Sequence, residues 1–459
     1  MSIIIPANSA AGGGFEVANS ARFNTASSDS LTRTQSASPT SATKGTLSFW
    51  IKRSLLGTAQ YYMSTFQDSN NRVQSEFQAD DTLRIIQKNS ASTTINIITN
   101  RVFRDPNAWY HVVLAFDTTQ GTDSNRVKLY INGVQETSFS TASYPSSGID
   151  SFLTKGTSAS LGAYNGSGDY TSGYFAEMVL IDGQQLDPTS FGEFDEDSGS
   201  WKAIDVSGLT FGTNGYYLDF EDSSALGNDA AGSNNFTANN LTAVDQSLDT
   251  CTNNACVWNP LRFWNRSGTL QKVSFDNGNL RAIFDDNGYN EYAFASIGVN
   301  TGKWFCEMKA EDITATGNTR IGVLNMDYTG TGNPGDQSTS VSYLADGQKR
   351  VGGSNSSYGA SYANGDIIGI ALDVTNNTVT FYKNGSSQGS ISITADTLYT
   401  FYSEDYASGG NKEISANFIS PAYAISSGNA DGNGYGNFEY AVPSGYLSLC
   451  TKNLSEALS

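Results

Sequence analysis

Two stretches far apart in the chain follow one plan, and that plan restricts the fold more than any other feature. In the first, residues 108–136 read AWYHVVLAFDTTQGTDSNRVKLYINGVQE. Tyr110, Val112, Leu114 and Phe116 are apolar at every second position, and Val127, Leu129 and Ile131 alternate with Arg126, Lys128 and Tyr130. A period of two turns one face of each strand toward a core. Asn132-Gly133 then supplies two residues that tolerate positive φ, as a type I′ hairpin turn requires. Residues 365–389, GDIIGIALDVTNNTVTFYKNGSSQG, repeat the plan. Ile368, Ile370 and Leu372 share a face, a turn falls at Asn376-Asn377, Val379 and Phe381 follow, and Asn384-Gly385 closes the hairpin. The two Asn-Gly turns are too widely separated for a short-period solenoid, so they mark two all-β domains.

Length agrees, because 459 residues exceed what one hydrophobic core serves. The 46 Gly, 24 Tyr and 24 Phe suit many short strands joined by polar turns, and no long helical period interrupts them. The net charge of −19, with no Lys/Arg cluster, argues against nucleic acid and against anionic membranes as partners. No apolar run approaches the ~20 residues that cross a bilayer, so membrane insertion is not expected. Met1-Ser-Ile-Ile-Ile-Pro6 lacks the basic and long apolar regions of a secretory signal. Cys251, Cys256, Cys306 and Cys450 are too few for a disulfide scaffold and read as buried thiols rather than a zinc site.

Pro6 and Gly12-Gly13-Gly14 make residues 1–20 an irregular N-terminal arm, with Ile3, Ile4 and Ile5 as candidates for anchoring it on a partner. Alternation begins at Ser20-Ala21-Arg22-Phe23. The pieces SLTRT (30–34), LSFWIKR (47–53), WYHVVLAFD (109–117), KLYINGVQ (128–135) and FGTNGYYLDF (211–220) together resemble a LamG, concanavalin A-like domain over 21–240. The run GYFAEMVLIDGQQLDPTSFGEF (173–194) is similar to the version carried by tailed-bacteriophage virion proteins. Residues 214–240 look like the strand and loop that usually open such a domain, here placed to close the sandwich as a permuted strand or to begin the connector. Residues 241–262 lack alternation and are expected as a connector. GKWFCE (302–307) and GDIIGIALD with VTFYKNG (365–385) resemble a SPRY domain, a bent two-sheet sandwich, over 263–425. Residues 426–459 are expected to pack on it, and VPSGYLSLCTKNL (442–454) resembles the tail that follows such domains in phage proteins. The expected fold is all-β: two jelly-roll sandwiches, concanavalin A-like and SPRY-like, in tandem behind an N-terminal arm.

Concanavalin A-like sandwiches include glycosidases with a strand-borne E-x-D-x-E signature, and Glu193-Phe194-Asp195-Glu196-Asp197 approximates it. The last member is Asp, and Pro188 and Asp197-Ser198-Gly199 read as loop, so no enzyme is expected. The single histidine, His111, lies opposite Val112 on a strand and reads as structural. No cofactor is required. Calcium is the one worth carrying, with Asp219, Asp222 and Asp229 as loop carboxylates that would hold it. Sugar binding needs rings to stack on sugar faces and polar groups beside them. Tyr164, Asn165, Asp169, Tyr170 and Tyr174 form one such group, and Tyr358 and Tyr362, with Tyr343 and Tyr406, another.

The resemblance implies a phage virion protein, made in the host cytoplasm and carried on the tail or capsid surface. Its partners would be other virion proteins through the arm, further copies of itself (a trimer among the symmetries), and host surface glycan. A tail-fibre adhesin for host attachment is the expected role. A capsid decoration or appendage-joining protein without glycan binding is the alternative, and a glycan-degrading virion enzyme the third reading.

Overall fold

The computed structural model describes residues 14–35, 37–262, 264–266, 269–271, 273–284, 291–313, 319–329, 332–405 and 412–457. The anchoring candidates Ile3, Ile4 and Ile5, and Tyr406, lie outside them. Contacts divide the chain into two compact units, one extending to Asn253 and the other beginning at Asn254.

The first unit is two antiparallel sheets sharing one core. One sheet runs in the order Val134–Gln135, Val127–Ile131, Trp109–Asp117, Lys44–Arg53, Gly173–Asp182, Ser20–Phe23, Gln246–Ser247. The other runs Phe139–Ser143, Ser92–Val102, Thr82–Asn89, Asn71–Phe77, Gln60–Asp68, Ser158–Leu161, Ser30–Thr34, Thr237–Asn239. Val112, Leu114, Phe116, Val127, Leu129 and Ile131, the alternating positions of the first meander, meet Tyr62, Val73, Phe77 and Ile85 of the facing sheet. Each such side chain contributes about 1.5–3 kcal/mol on burial. The hairpin turn has the backbone its sequence demands, with φ of 49° at Asn132 and 78° at Gly133.

Residues 214–240 close the sandwich. Tyr216–Leu218 pairs with Gly173–Asp182, and Thr237–Asn239 adds an edge strand to Ser30–Thr34. The outer face of the first sheet is also covered. Trp50, Trp109, Tyr174 and Ala176 pack with Trp201, Ala203 and Cys251, and Val113, Val179 and Ile181 pack with Phe191 and Val206. Asp249 fastens this covering layer: Lys52 Nζ lies 2.7 Å and Trp109 Nε1 3.1 Å from its carboxylate. The expectation of a connector over 241–262 is therefore corrected. Gln246–Ser247 is a strand of the first unit, and Cys256, Val257 and Trp258 are buried in the core of the second. The segment lacks alternation because its pieces are packed on more than one side.

The strand Gly173–Asp182 carries a bulge between Ala176 and Val179, where Glu177 takes φ +48°. Its carboxyl is buried and accepts from the Tyr217 hydroxyl at 2.8 Å. Burial pushes its pKa up to about 8, against a smaller lowering by Tyr217.

In the second unit one sheet runs Ser274–Asp276, Arg281–Phe284, Lys412–Asn417, Lys303–Asp312, Ile367–Asp373, Thr378–Lys383, Ser386–Ser392. The other runs Glu291–Phe294, Tyr399–Asp405, Thr319–Asn325, Val341–Leu344, Gln348–Val351, Ser354–Ser357. Ile368, Ile370, Leu372, Val379 and Phe381 fill the core between them with Ile321, Val323 and Phe401. Glu307 accepts from the backbone of Glu439 and Tyr440 at 2.9 and 2.8 Å, fixing the late segment to the strand Lys303–Asp312.

Two predictions follow from this packing. A Cβ on Gly133 would meet the Trp201 ring at 2.3 Å, whereas Gly57, also at positive φ, has nothing within 4 Å. Gly57→Ala is expected to cost about 1 kcal/mol and Gly133→Ala about 3 kcal/mol in urea unfolding; equal losses would contradict the contact. A carboxyl whose folded pKa is raised lends stability that is complete below its unfolded value and is lost as pH rises through about 8. Glu177→Gln should thus match the parent at pH 5 and exceed it at pH 9, and unfolding at both pH values checks this.

Candidate functional site

A cavity of about 500 Å³ opens in the first unit, within the range of small-ligand sites. The strand Ser30–Thr34 supplies Thr32, Arg33 and Thr34, the neighbouring strand Ser158, and the edge strand Thr237. Ala37, Asn214, Ser233, Asn234 and Asn235 come from loops and complete the lining.

Two buried carboxylates hold those loops in place. Asp182 accepts from the backbone N–H of Thr40, Ser41 and Asn214 at 2.7, 3.1 and 3.0 Å. Asp229 accepts from the backbone of Tyr217, Ala231 and Asn234 at 2.9, 3.1 and 2.8 Å, and its own N–H donates to Asn235 Oδ1 at 2.8 Å. Short acidic side chains capture backbone donors that a tight loop leaves without sheet partners. Asn234 Nδ2 adds bonds to the carbonyls of Thr213 and Gly215 at 3.0 and 2.6 Å.

Arg33 is the one charged residue of the lining. Its Nη1 donates to the Asn214 carbonyl at 3.1 Å and its Nη2 to Asn234 Oδ1 at 2.6 Å, and the guanidinium lies 5.9 Å from the Phe236 ring centroid. Burial pulls its pKa below the usual value, with Tyr216 and Asp229 opposing, and an arginine so shifted stays charged. Asn214 is buried and gives Nδ2 to the carbonyls of Ala37 and Thr154, while its Oδ1 has no partner among the described residues. The lining is a set of fixed hydrogen-bonding groups without an exposed carboxylate.

The sequence candidates fall into three groups. Tyr164, Asn165, Asp169 and Tyr170 share one turn, tightened by positive φ at Asn165, Gly166, Gly168 and Asp169. A Cβ on Gly166 would lie 3.0 Å from Thr32 Cγ2, so this turn rests on the strand that carries the cavity wall. Tyr164 is half-buried, its ring 5.0 Å from Tyr61 and 5.3 Å from Phe66. Tyr174, by contrast, is a core residue beside Trp109 and Lys52. Tyr362 is likewise buried, its hydroxyl 3.2 Å from the carbonyls of Thr319 and Tyr343. Tyr358 lies edge-on to Tyr343 and donates to the Gly389 carbonyl. Tyr174 and Tyr362 are thus corrected from sugar platforms to packing residues, a polar neighbourhood in sequence not having kept the ring at the surface, whereas Tyr358 is half-buried against the core.

Asp219, Asp222 and Asp229 do not converge, and among the described residues no three His, Cys, Asp or Glu side chains gather to hold a metal ion. Asp229 is spent on backbone, while Asp219 and Asp222 close local turns to Glu221 and Ser224. Glu193 to Asp197 run from the short strand Gly192–Phe194 into its turn. Asp195 accepts from Ser198 N–H and hydroxyl, which hold its pKa down to about 2, and Lys202 lies 3.3 Å from both Glu193 and Asp195. His111 is stacked between Trp50 and Trp201. Trp201 Nε1 can only donate, so His111 Nδ1 accepts it at 2.9 Å and Nε2–H donates to Ser48 Oγ at 2.8 Å.

The cavity is not legible in the sequence, since its residues span 32–237 and its Asn and Ser occupy a stretch that reads as turn. A lone arginine within the Ser/Thr run 30–36 was the available signal.

Residues 24–186 match the family described as Concanavalin A-like lectin/glucanases superfamily, of the Laminin_G_3 type, and residues 303–412 match the SPRY domain. The chain therefore carries a concanavalin A-like and a SPRY β-sandwich domain in tandem, which points to a binding or adhesion role. Similar solved structures include the SPRY domain of human HERC1, at 21% identity, covering 35% of this chain and 96% of that one, with a TM-score of 0.30. A heptameric SAP-like pentraxin from Limulus polyphemus is similar at 19% identity over 38% of this chain and 80% of that one, with a TM-score of 0.29. No curated protein matches the chain.

Burial holds the His111 pKa at about 3, against 6.5 for the free side chain. Between those values the unfolded chain binds the extra proton, so its contribution is complete above pH 6.5 and is lost as pH falls toward 3. His111→Gln should flatten the stability-pH profile between pH 6.5 and 4 in denaturant titrations; an unchanged slope would contradict a neutral buried imidazole.

Proposed function

We propose that this protein is a non-enzymatic adhesin of a tailed-bacteriophage particle, a tail fibre or similar appendage, and that it binds host surface carbohydrate in the Arg33–Asn214–Asn234 cavity. The cavity is the observation that carries the reading. Its Arg, Asn, Ser and Thr groups are the hydrogen-bonding types that recognise sugar hydroxyls, and they sit in a concanavalin A-like domain. The phage assignment rests on the resemblance of residues 173–194 and 442–454 to virion proteins. Weak individual sites would be strengthened by many copies on one particle, because each later contact is intramolecular. The segment Ile3 to Ile5 would tie the chain to neighbouring virion proteins. The engagement of Asp195 by Ser198 and Lys202 supports a role without hydrolysis.

Glycan arrays on the whole chain test this. The parent is expected to bind a defined set of bacterial surface saccharides, and Arg33→Ala to weaken binding about tenfold or more, the worth of a charge-assisted hydrogen bond. Absence of any saccharide binding, or full binding by a folded Arg33→Ala protein, would overturn the reading.

A further inference from the structure

We infer that the cavity selects an acidic saccharide, one presenting a carboxylate beside ring hydroxyls; this rests on the carbohydrate reading above and narrows it. The groups left open are one guanidinium, which only donates, an amide NH2 and hydroxyls that turn either way. Arg33 has five N–H groups and spends two on Asn214 and Asn234, which leaves three. Asn235 gives its oxygen to the Asp229 backbone, and its Nδ2 is exposed with no partner among the described residues. The Asn234 oxygen is occupied by Arg33. The hydroxyls of Thr34, Ser158, Ser233 and Thr237 are unengaged among the described residues and either donate or accept. Asn214 Oδ1 has no partner among the described residues, but it is buried and is not presented to a ligand. A neutral sugar offers roughly balanced donors and acceptors, whereas a carboxylate offers acceptors alone and pairs with the planar guanidinium fork.

Charge leads the same way. The chain carries a net charge of −19, yet none of the residues lining this cavity is acidic. Fields from distant surface carboxylates fade over about 8 Å at physiological salt, so the local set decides. The nearby carboxylates, Asp182 and Asp229, are buried, and each faces three backbone N–H donors. A single guanidinium matches the single charge of a carboxylate better than a doubly charged phosphate, which calls for more than one cation.

The test compares matched saccharides on the intact chain: uronic- and sialic-acid oligosaccharides, their methyl esters, and neutral oligosaccharides, titrated calorimetrically. An acidic member is expected to bind about tenfold or more tightly than its ester. Arg33→Gln should remove that difference. Asn235→Asp keeps the oxygen that accepts from Asp229 while placing a negative charge at the exposed rim. It should weaken acidic ligands selectively with thermal stability unchanged, so the question stays open to refutation even if Arg33→Gln misfolds. Equal binding of acid and ester, or preference for neutral members, overturns the acidic selectivity and leaves the adhesin reading standing. Binding to no member overturns both.

Discussion

A β-sheet with one apolar face cannot be left in water, and each unit of this chain is a separate answer to that constraint. The period-two pattern puts Val112, Leu114 and Phe116, or Ile368, Ile370 and Leu372, on one face. A second sheet then has to cover them. Once two sheets are fixed face to face, the loops at their ends are free of packing duty and can be shaped for contact. The cavity lies where a strand near one sheet margin, its neighbours and three loops meet, and Asp182, Asp229, Asn214 and Asn234 hold those loops mainly through bonds to backbone.

The first unit meets the constraint twice. Its sheet through Trp109–Asp117 is apolar on both faces, and the excursion after Asp182 folds back as a second layer over the outer one. That layer explains the buried polar groups that look unusual for a sandwich. His111 bridges Trp201 to Ser48, Asp249 receives Lys52 and Trp109, and Glu177 meets Tyr217 at the bulge. Each is a polar group trapped beneath a covering segment and satisfied by a specific partner, as burial demands. Asp229 and Asp182 act by the same logic at the cavity, where the loop backbone rather than a side chain is the group in need.

The meanders, the two Asn-Gly turns and the division into two sandwiches were legible because alternation and positive-φ turn residues are local signals. The cavity was not, because nothing local distinguishes Arg33 or Asn234 from solvated turn residues until distant strands bring them together. The tyrosines show the converse. Tyr174 and Tyr362 sit in polar sequence and yet are core, since a strand covered on both faces, or a loop folded under its own sheet, buries rings that alternation assigns to solvent. Cys256 to Trp258 read as linker for a related reason: short bridges such as Trp258 to Ala295 leave no periodic trace. The turn at Tyr164 reads as a sugar-stacking loop, and its half-buried ring packs on Tyr61 and Phe66.

The most direct measurement is a crystal structure of the chain soaked with a saccharide it binds. The account predicts the sugar seated between Arg33, Asn214 and Asn235, touching the strand Ser30–Thr34. A sugar located instead on the loops of the second unit, or absent from this cavity at saturating concentration, would contradict it.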